Sequence, residues 1–339
     1  MRTKTSIFTA LCLTLLFAHN SRAFPESGQT TFLEQLSVST EEEGKILQLC
    51  FSILFFYNMS EDRERQKGML DILDEHATMT GDVYRWTQNP KTKKWKKLES
   101  GVNSYINPRE WVLTNPNYRW SLIYHAGEKA SDASDIEFYT LNSGDTPQGD
   151  DTSFLRIHFP VSILKDTPAL LERIRHWCGL IQPDHGYAGF SFAHSHGYER
   201  GEAVSYEYIM AQRFPGLDVY DNVHHSLKLG HHIKGADWLV ILSDAFLNRI
   251  GGLPQIRERM GSLPVLDYPG GAILQAGPLP QLGDTEQDLP MTEYRQVAAI
   301  IEPLRHKNYK GGAEMLAPGP KFTGSSYMQW LARFSPEPE

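Results

Sequence analysis

Apolar runs separated by short polar breaks set the pattern of the chain from residue 45 onward. Residues 45–57, KILQLCFSILFFY, are rich in Leu, Ile and Phe and predict a buried strand. Ser60 offers an N-cap, with Glu61 and Asp62 in the first turn, where the helix dipole favours acids. Met69, Leu70, Ile72 and Leu73 supply the apolar side of that helix. Residues 83–88 and 94–98 flank Asn89-Pro90-Lys91-Thr92-Lys93 and predict a hairpin. Residues 111–113, 120–125 and 136–141 predict further strands.

Residues 142–152 contain Gly, Pro and several Asp, lack periodicity, and read as a linker. The pattern then restarts. Residues 154–159 predict a strand, and Thr167-Pro168 opens a helix, since Pro is tolerated in the first turn. Leu170, Leu171, Ile174, Trp177 and Cys178 fall on one face of it, and residues 187–193 predict the next strand. Farther on, the pattern predicts a helix near 238–250 stopped by Gly251-Gly252, a strand at 271–276, and a helix over 292–301 before Pro303.

Both stretches begin strand, helix, strand, through duplication of one unit or simple recurrence of a common one. The expectation is an α+β fold of two packed α/β sandwich-like halves, residues 45–141 and 153–334. A polar lead-in at 24–44 and a disordered tail at 335–339 are expected to flank them. With 339 residues, 40% of them hydrophobic, the chain can bury a sizeable core.

The N-terminus changes where the protein is expected to work. Arg2 and Lys4 precede an apolar run from Ile7 to Ala18, and Ser21-Arg22-Ala23 supplies small residues at a cleavage position, so residues 1–23 read as a secretory signal. The run is too short to span a bilayer comfortably. Export implies the periplasm; without cleavage the alternative is the cytoplasm. Cys12 would leave with the signal, and Cys50 and Cys178 then read as buried thiols, with a disulfide open in an oxidising compartment.

Charge narrows the partners. The formal net charge is -8, from 33 basic and 41 acidic residues. A surplus of that sign disfavours nonspecific nucleic-acid binding and suits a basic protein partner.

Catalytic patterns are weak. His194 and His196 would share a face if the preceding strand continued through them, and His224-His225 and His231-His232 are two pairs seven residues apart. Gly230 interrupts those pairs, and neither HExxH nor CxxC occurs, so structural or surface histidines are the expectation. No GxSxG elbow, Walker A loop or dinucleotide fingerprint is present, and no cofactor or metal is expected. Arg85, Lys91, Lys93, Lys94, Lys96 and Lys97 interleave with Trp86 and Trp95. This fits a solvated hairpin edge better than a single-strand nucleic-acid surface. Glu199, Glu202 and Glu207 border Tyr198, Tyr206 and Tyr208. Tyr198, Glu199, Glu202, Tyr206 and Glu207 are the candidate partner-binding residues, an ordinary loop into a helix being the competing reading.

Two stretches together carry a resemblance. One is FLRIHFPVSIL from Phe154, then a helix, then HGYAGFSF ending at Phe192. The other runs from RFPGLDV at Arg213, through HHIKGADWLVILSDAFLNRIGG from His231 to Gly252, to GGAILQAGPLPQLGD from Gly270 to Asp284. As a set they resemble the type VI secretion immunity proteins found beside effectors with VRR-Nuc nuclease domains. The resemblance implies an α+β fold, no enzymatic activity, and tight binding to a cognate effector toxin. A nuclease acts on cytoplasmic DNA, so a signal peptide here departs from the nuclease-linked picture. The competing functions are an exported metal-dependent hydrolase using the paired histidines, and an envelope- or carbohydrate-binding module using exposed tryptophans.

Overall fold

A computed structural model describes residues 33, 36–57, 62–116, 118–144, 152–197, 200–219, 229, 232–287, 289–307 and 319–335. The expected signal, the Ser60–Glu61 cap, most of the linker, residues 198–199, His224, His225, His231 and the tail after Ser335 lie outside them.

One sheet gathers every strand described. Its strands are β1 (Ser37–Thr40), β2 (Gly44–Tyr57), β3 (Trp86–Gln88), β4 (Trp95–Lys97), β5 (Trp120–His125), β6 (Glu137–Asn142), β7 (Ser153–Phe159), β8 (His185–His194), β9 (Leu217–Asp218), β10 (Leu239–Ser243), β11 (Val265–Tyr268) and β12 (Gly271–Gln275). The order is β11-β12-β10-β8-β2-β7-β6-β5-β3-β4, with β1 beside β2 and β9 parallel to β8. At the centre, Ile53 of β2 faces Ile157 of β7 on one side and Ala188 of β8 on the other. That double pairing is why the 45–57 run is apolar at almost every position: both neighbours and both faces of β2 are covered. The α+β expectation holds. The two stretches on either side of 142–152 are not separated, however. Strands from each alternate through the middle as β8, β2, β7 and β6.

The helices are α1 (Arg63–Met79), α2 (Pro108–Thr114), α3 (Thr167–Ile181), α4 (Arg200–Arg213), α5 (Asp244–Arg249), α6 (Gly252–Met260), α7 (Thr292–Ile301) and α8 (Gly324–Leu331). Asp62, expected in the first turn, is itself the cap of α1 in place of Ser60, its carboxylate accepting from the Glu64 and Arg65 amides at 3.1 Å. Helices α1 and α3 cover one face of the sheet: the Phe159 ring lies 4.5 Å from His76 of α1 and 6.2 Å from Trp177 of α3. They approach closely at Gly68, where a Cβ would stand 2.6 Å from the Leu180 carbonyl oxygen.

Two further expectations are corrected. Residues 111–113 belong to α2, because Asn107 caps it and Pro108 occupies its first turn. Residues 238–250 are not one helix. Leu239–Ser243 forms β10, which pairs with β8 and β12, and only Asp244–Arg249 is helical. Trp238 is fully buried, donates from Nε1 to the Gly277 carbonyl at 3.0 Å, and meets Phe51 edge-on at 5.7 Å. Cys50 and Cys178 are both buried free thiols, and burial pushes each well above the ordinary thiol range.

Candidate functional site

Strand alternation places a row of titratable groups on one face of the sheet. His125, Glu137 and His158 are cross-strand neighbours on β5, β6 and β7, and Arg156 and Cys50 share their side. Glu137 and Arg156 form a fully buried ion pair. The other Glu137 oxygen takes the His196 Nε2 at 2.7 Å. Burial opposes ionisation of Glu137, but Arg156 and His196 outweigh it and hold the carboxyl well below its usual range. Burial drives His125 and His158 down to about 3, so both are neutral at physiological pH. The Trp95 ring closes this row against solvent, 5.0 Å from His125 and 4.9 Å from His196.

His194 and His196 do not share a face, in contrast to the sequence expectation. β8 ends at His194, whose Nε2 lies 3.1 Å from the Glu207 carboxylate, whereas His196 turns to Glu137. His232 packs its ring 5.2 Å from His306. Among the described residues, no three or more His, Cys, Asp or Glu side chains are grouped so as to hold a metal ion. A second buried network joins Lys234 to Asp218, with the Lys234 amide donating to the Tyr187 hydroxyl at 2.8 Å. Asp237 lies beside it, raised to about 7, first by burial and then by the charge of Asp218. The sequence carried no local signal for either network, because their members come from distant strands and loops.

The candidate partner-binding residues fall on α4 and its lead-in. Residues 198–199 lie outside the described residues. Glu202 is exposed and Tyr206 half-buried, and Ile209, 51% exposed, continues their stripe at helical spacing. Glu207 is a correction: it points inward with the buried Ala203 and Ala211, and its carboxylate is taken by His194. Tyr208 packs edge-on against Phe322 at 4.8 Å. The last turn of α4 forms one wall of a cavity of about 360 Å3. Met291, Trp330 and Phe334 give it apolar lining, Leu289 stands 52% exposed at it, and Arg295 and Arg333 bring positive charge. Arg333 stacks on Trp330 with its guanidinium carbon 3.7 Å from the ring centroid. Burial lowers Arg333 to about 10, which leaves it charged at neutral pH. None of the seven tryptophans is exposed: Trp86, Trp95 and Trp111 are half-buried and the other four buried. That removes the feature on which a carbohydrate-binding reading stood.

The family model described as type VI immunity for VRR-NUC matches residues 69–334. The fold is similar to that of a solved Pseudomonas aeruginosa T6SS protein, with a TM-score of 0.79 and 20% sequence identity over 97% of this chain and 92% of that one. No curated protein matches.

Proposed function

Because this chain belongs to the family of type VI immunity proteins for VRR-NUC, we propose that it binds one cognate secreted effector and neutralises it by occupying a surface the effector needs. Family membership over residues 69–334 is the observation that carries this reading. The physical chemistry supports a non-catalytic role. The buried histidines of the β5–β7 row are neutral and closed off by Trp95, and Glu137 and Glu207 are committed to internal partners. A wide twelve-stranded sheet backed by helices is a rigid platform, which limits the ordering cost of association. Glu202 and Tyr206 contribute to the contact, and the cavity at the end of α4 can receive an apolar anchor from the effector.

Protection at low toxin copy number calls for a nanomolar or tighter complex, about -12 kcal/mol or below. It also needs about 800 Å2 buried on each partner. The protein acts in the periplasm if residues 1–23 are removed and in the cytoplasm if they are retained. Intact mass of the protein from its native host distinguishes these. The function is tested by co-expressing the protein with the effector encoded by the neighbouring gene, in the compartment where that effector acts. Survival together with a stoichiometric complex of the purified pair is expected. Cell death at an unchanged rate, with no complex formed, overturns the reading.

A further inference from the structure

The sheet ends on a hairpin whose charge runs against that of the whole chain. Residues 83–98 hold Arg85, Lys91, Lys93, Lys94, Lys96 and Lys97 and no acidic residue, in a chain of net charge -8. All six cations are exposed. Lys93 donates to the Ser121 hydroxyl at 2.8 Å, and Lys96 lies over the Tyr105 ring at 5.7 Å. Arg85, Lys91, Lys94 and Lys97 make no ion pair among the described residues.

The hairpin is also an edge. β4 is the terminal strand, and no described strand pairs with its outer side. Leu98 donates to the Arg85 carbonyl and Asn89 to the Lys94 carbonyl. By antiparallel alternation, the backbone groups of Trp95 and Lys97 then face outward, free to take an added strand.

Its chemistry selects among anionic partners. Single-stranded nucleic acid needs aromatic faces to stack on. Here Trp95 is spent on His125 and His196, and Trp86, whose Nε1 donates to the Glu128 carbonyl at 3.4 Å, is half-buried. The cations the hairpin presents to solvent are Arg85 and five lysines, and lysine is a strongly hydrated point charge that suits carboxylates met at a rim. Lysines do protect an edge from self-association, but that task does not call for six cations and no acid. The acidic remainder of the molecule repels a uniformly acidic partner, so the match is an acidic patch within a more basic surface.

We propose that the 83–98 hairpin is an effector-docking element, its lysines meeting a carboxylate-lined patch of the effector and its β4 edge offered to an extended segment beside that patch. This rests on the immunity reading, and it names the surface by which the protein seizes its partner.

The test uses the full chain and the purified effector of the neighbouring gene, with kinetics and Kd measured at two salt concentrations. A triple variant carrying Lys91→Glu, Lys94→Glu and Lys97→Glu is compared with a Lys-to-Gln triple at the same positions. Removal of unpaired surface lysines leaves the melting temperature unchanged. The Glu variant is expected to lose on the order of 100-fold in affinity, mostly in association rate, with the Gln variant intermediate and less sensitive to salt than wild type. A wild-type complex that forms while the folded Glu variant keeps the wild-type Kd overturns the docking proposal and leaves the immunity reading standing. No complex with the wild type overturns the immunity reading, and the docking proposal with it. Tight binding of a labelled single-stranded oligonucleotide that the Glu variant loses, with effector binding intact, overturns the proposal in favour of a nucleic-acid surface.

Discussion

Lowering the pH from about 7.5 to about 5 should remove about 5 kcal/mol of stability, above the range in which ordinary carboxylates protonate. His76, His125, His158 and His185 are buried, and burial lowers His76 to about 4 and the other three to about 3. Unfolded, each returns to about 6.5. Below that value the unfolded chain takes up protons that the folded chain refuses, so stability is lost as pH falls from 6.5 toward the folded values. At pH 5 this amounts to about 2 kcal/mol per histidine and about 8 kcal/mol for the four. Asp237 works the other way. Its folded carboxyl is raised from 3.8 to about 7, so its cost is fully present above pH 7 and is relieved on acidification, by between about 2 and 3 kcal/mol at pH 5. The net loss is comparable with the whole stability of many domains, about 5–15 kcal/mol. Urea titrations followed by tryptophan fluorescence at several pH values measure it, with the slope between pH 6 and 5 reporting a net uptake of about three protons on unfolding. Equal stability at both ends of the range, with an unchanged urea dependence, would refute the reasoning.

Other substitutions test individual contacts. His185 has both ring nitrogens without a partner among the described residues and sits 4.8 Å from Phe56 and 5.5 Å from Phe246. His185→Phe should therefore raise stability at pH 5 by about 2 kcal/mol in the same titration and reduce the proton uptake by about one. Trp238→Ala should cost about 3–5 kcal/mol in chemical denaturation by opening a cavity beside Phe51; wild-type melting would show the residue is not core. Glu137→Gln leaves Arg156 buried without its counter-charge and should cost about 3–5 kcal/mol by the same measurement. Tyr206→Ala, checked as folded by its melting transition because Tyr206 packs partly on the core, should weaken effector binding by about 1 kcal/mol or more in calorimetry; an unchanged Kd removes Tyr206 from the interface.

Local pattern was enough wherever an element's own residues carried the signal. The apolar run at 45–57 became β2, and the Thr167-Pro168 start with its apolar stripe became α3. The failures were short apolar runs, which a strand and a helix share. Trp111–Leu113 carries apolar side chains in either case, and Asn107-Pro108 upstream was the deciding cap. In the 238–250 stretch the Leu-Val-Ile-Leu core belonged to a strand, and Ser243-Asp244 marked the later helix start. For the candidate site the limit was pairing across distance. A glutamate on a helix ordinarily faces water, and nothing near Glu207 announces that His194 will take its carboxylate. Likewise the lysines of the hairpin were plain in the sequence, but only the sheet order shows that they decorate an open edge.

The clasp of β2 between β7 and β8 also sets a clock on biosynthesis. β2 is made early, yet Cys50 hydrogen-bonds to Ser191, 141 residues later. At about 5–20 residues per second, Ser191 follows Cys50 by about 7 to 28 s. Before β7 and β8 are made, β2 has only the short β1 beside it, and most of its length lacks the strands that flank it in the finished sheet. The same pairing means that no N-terminal fragment ending before β8 can complete the centre of the sheet.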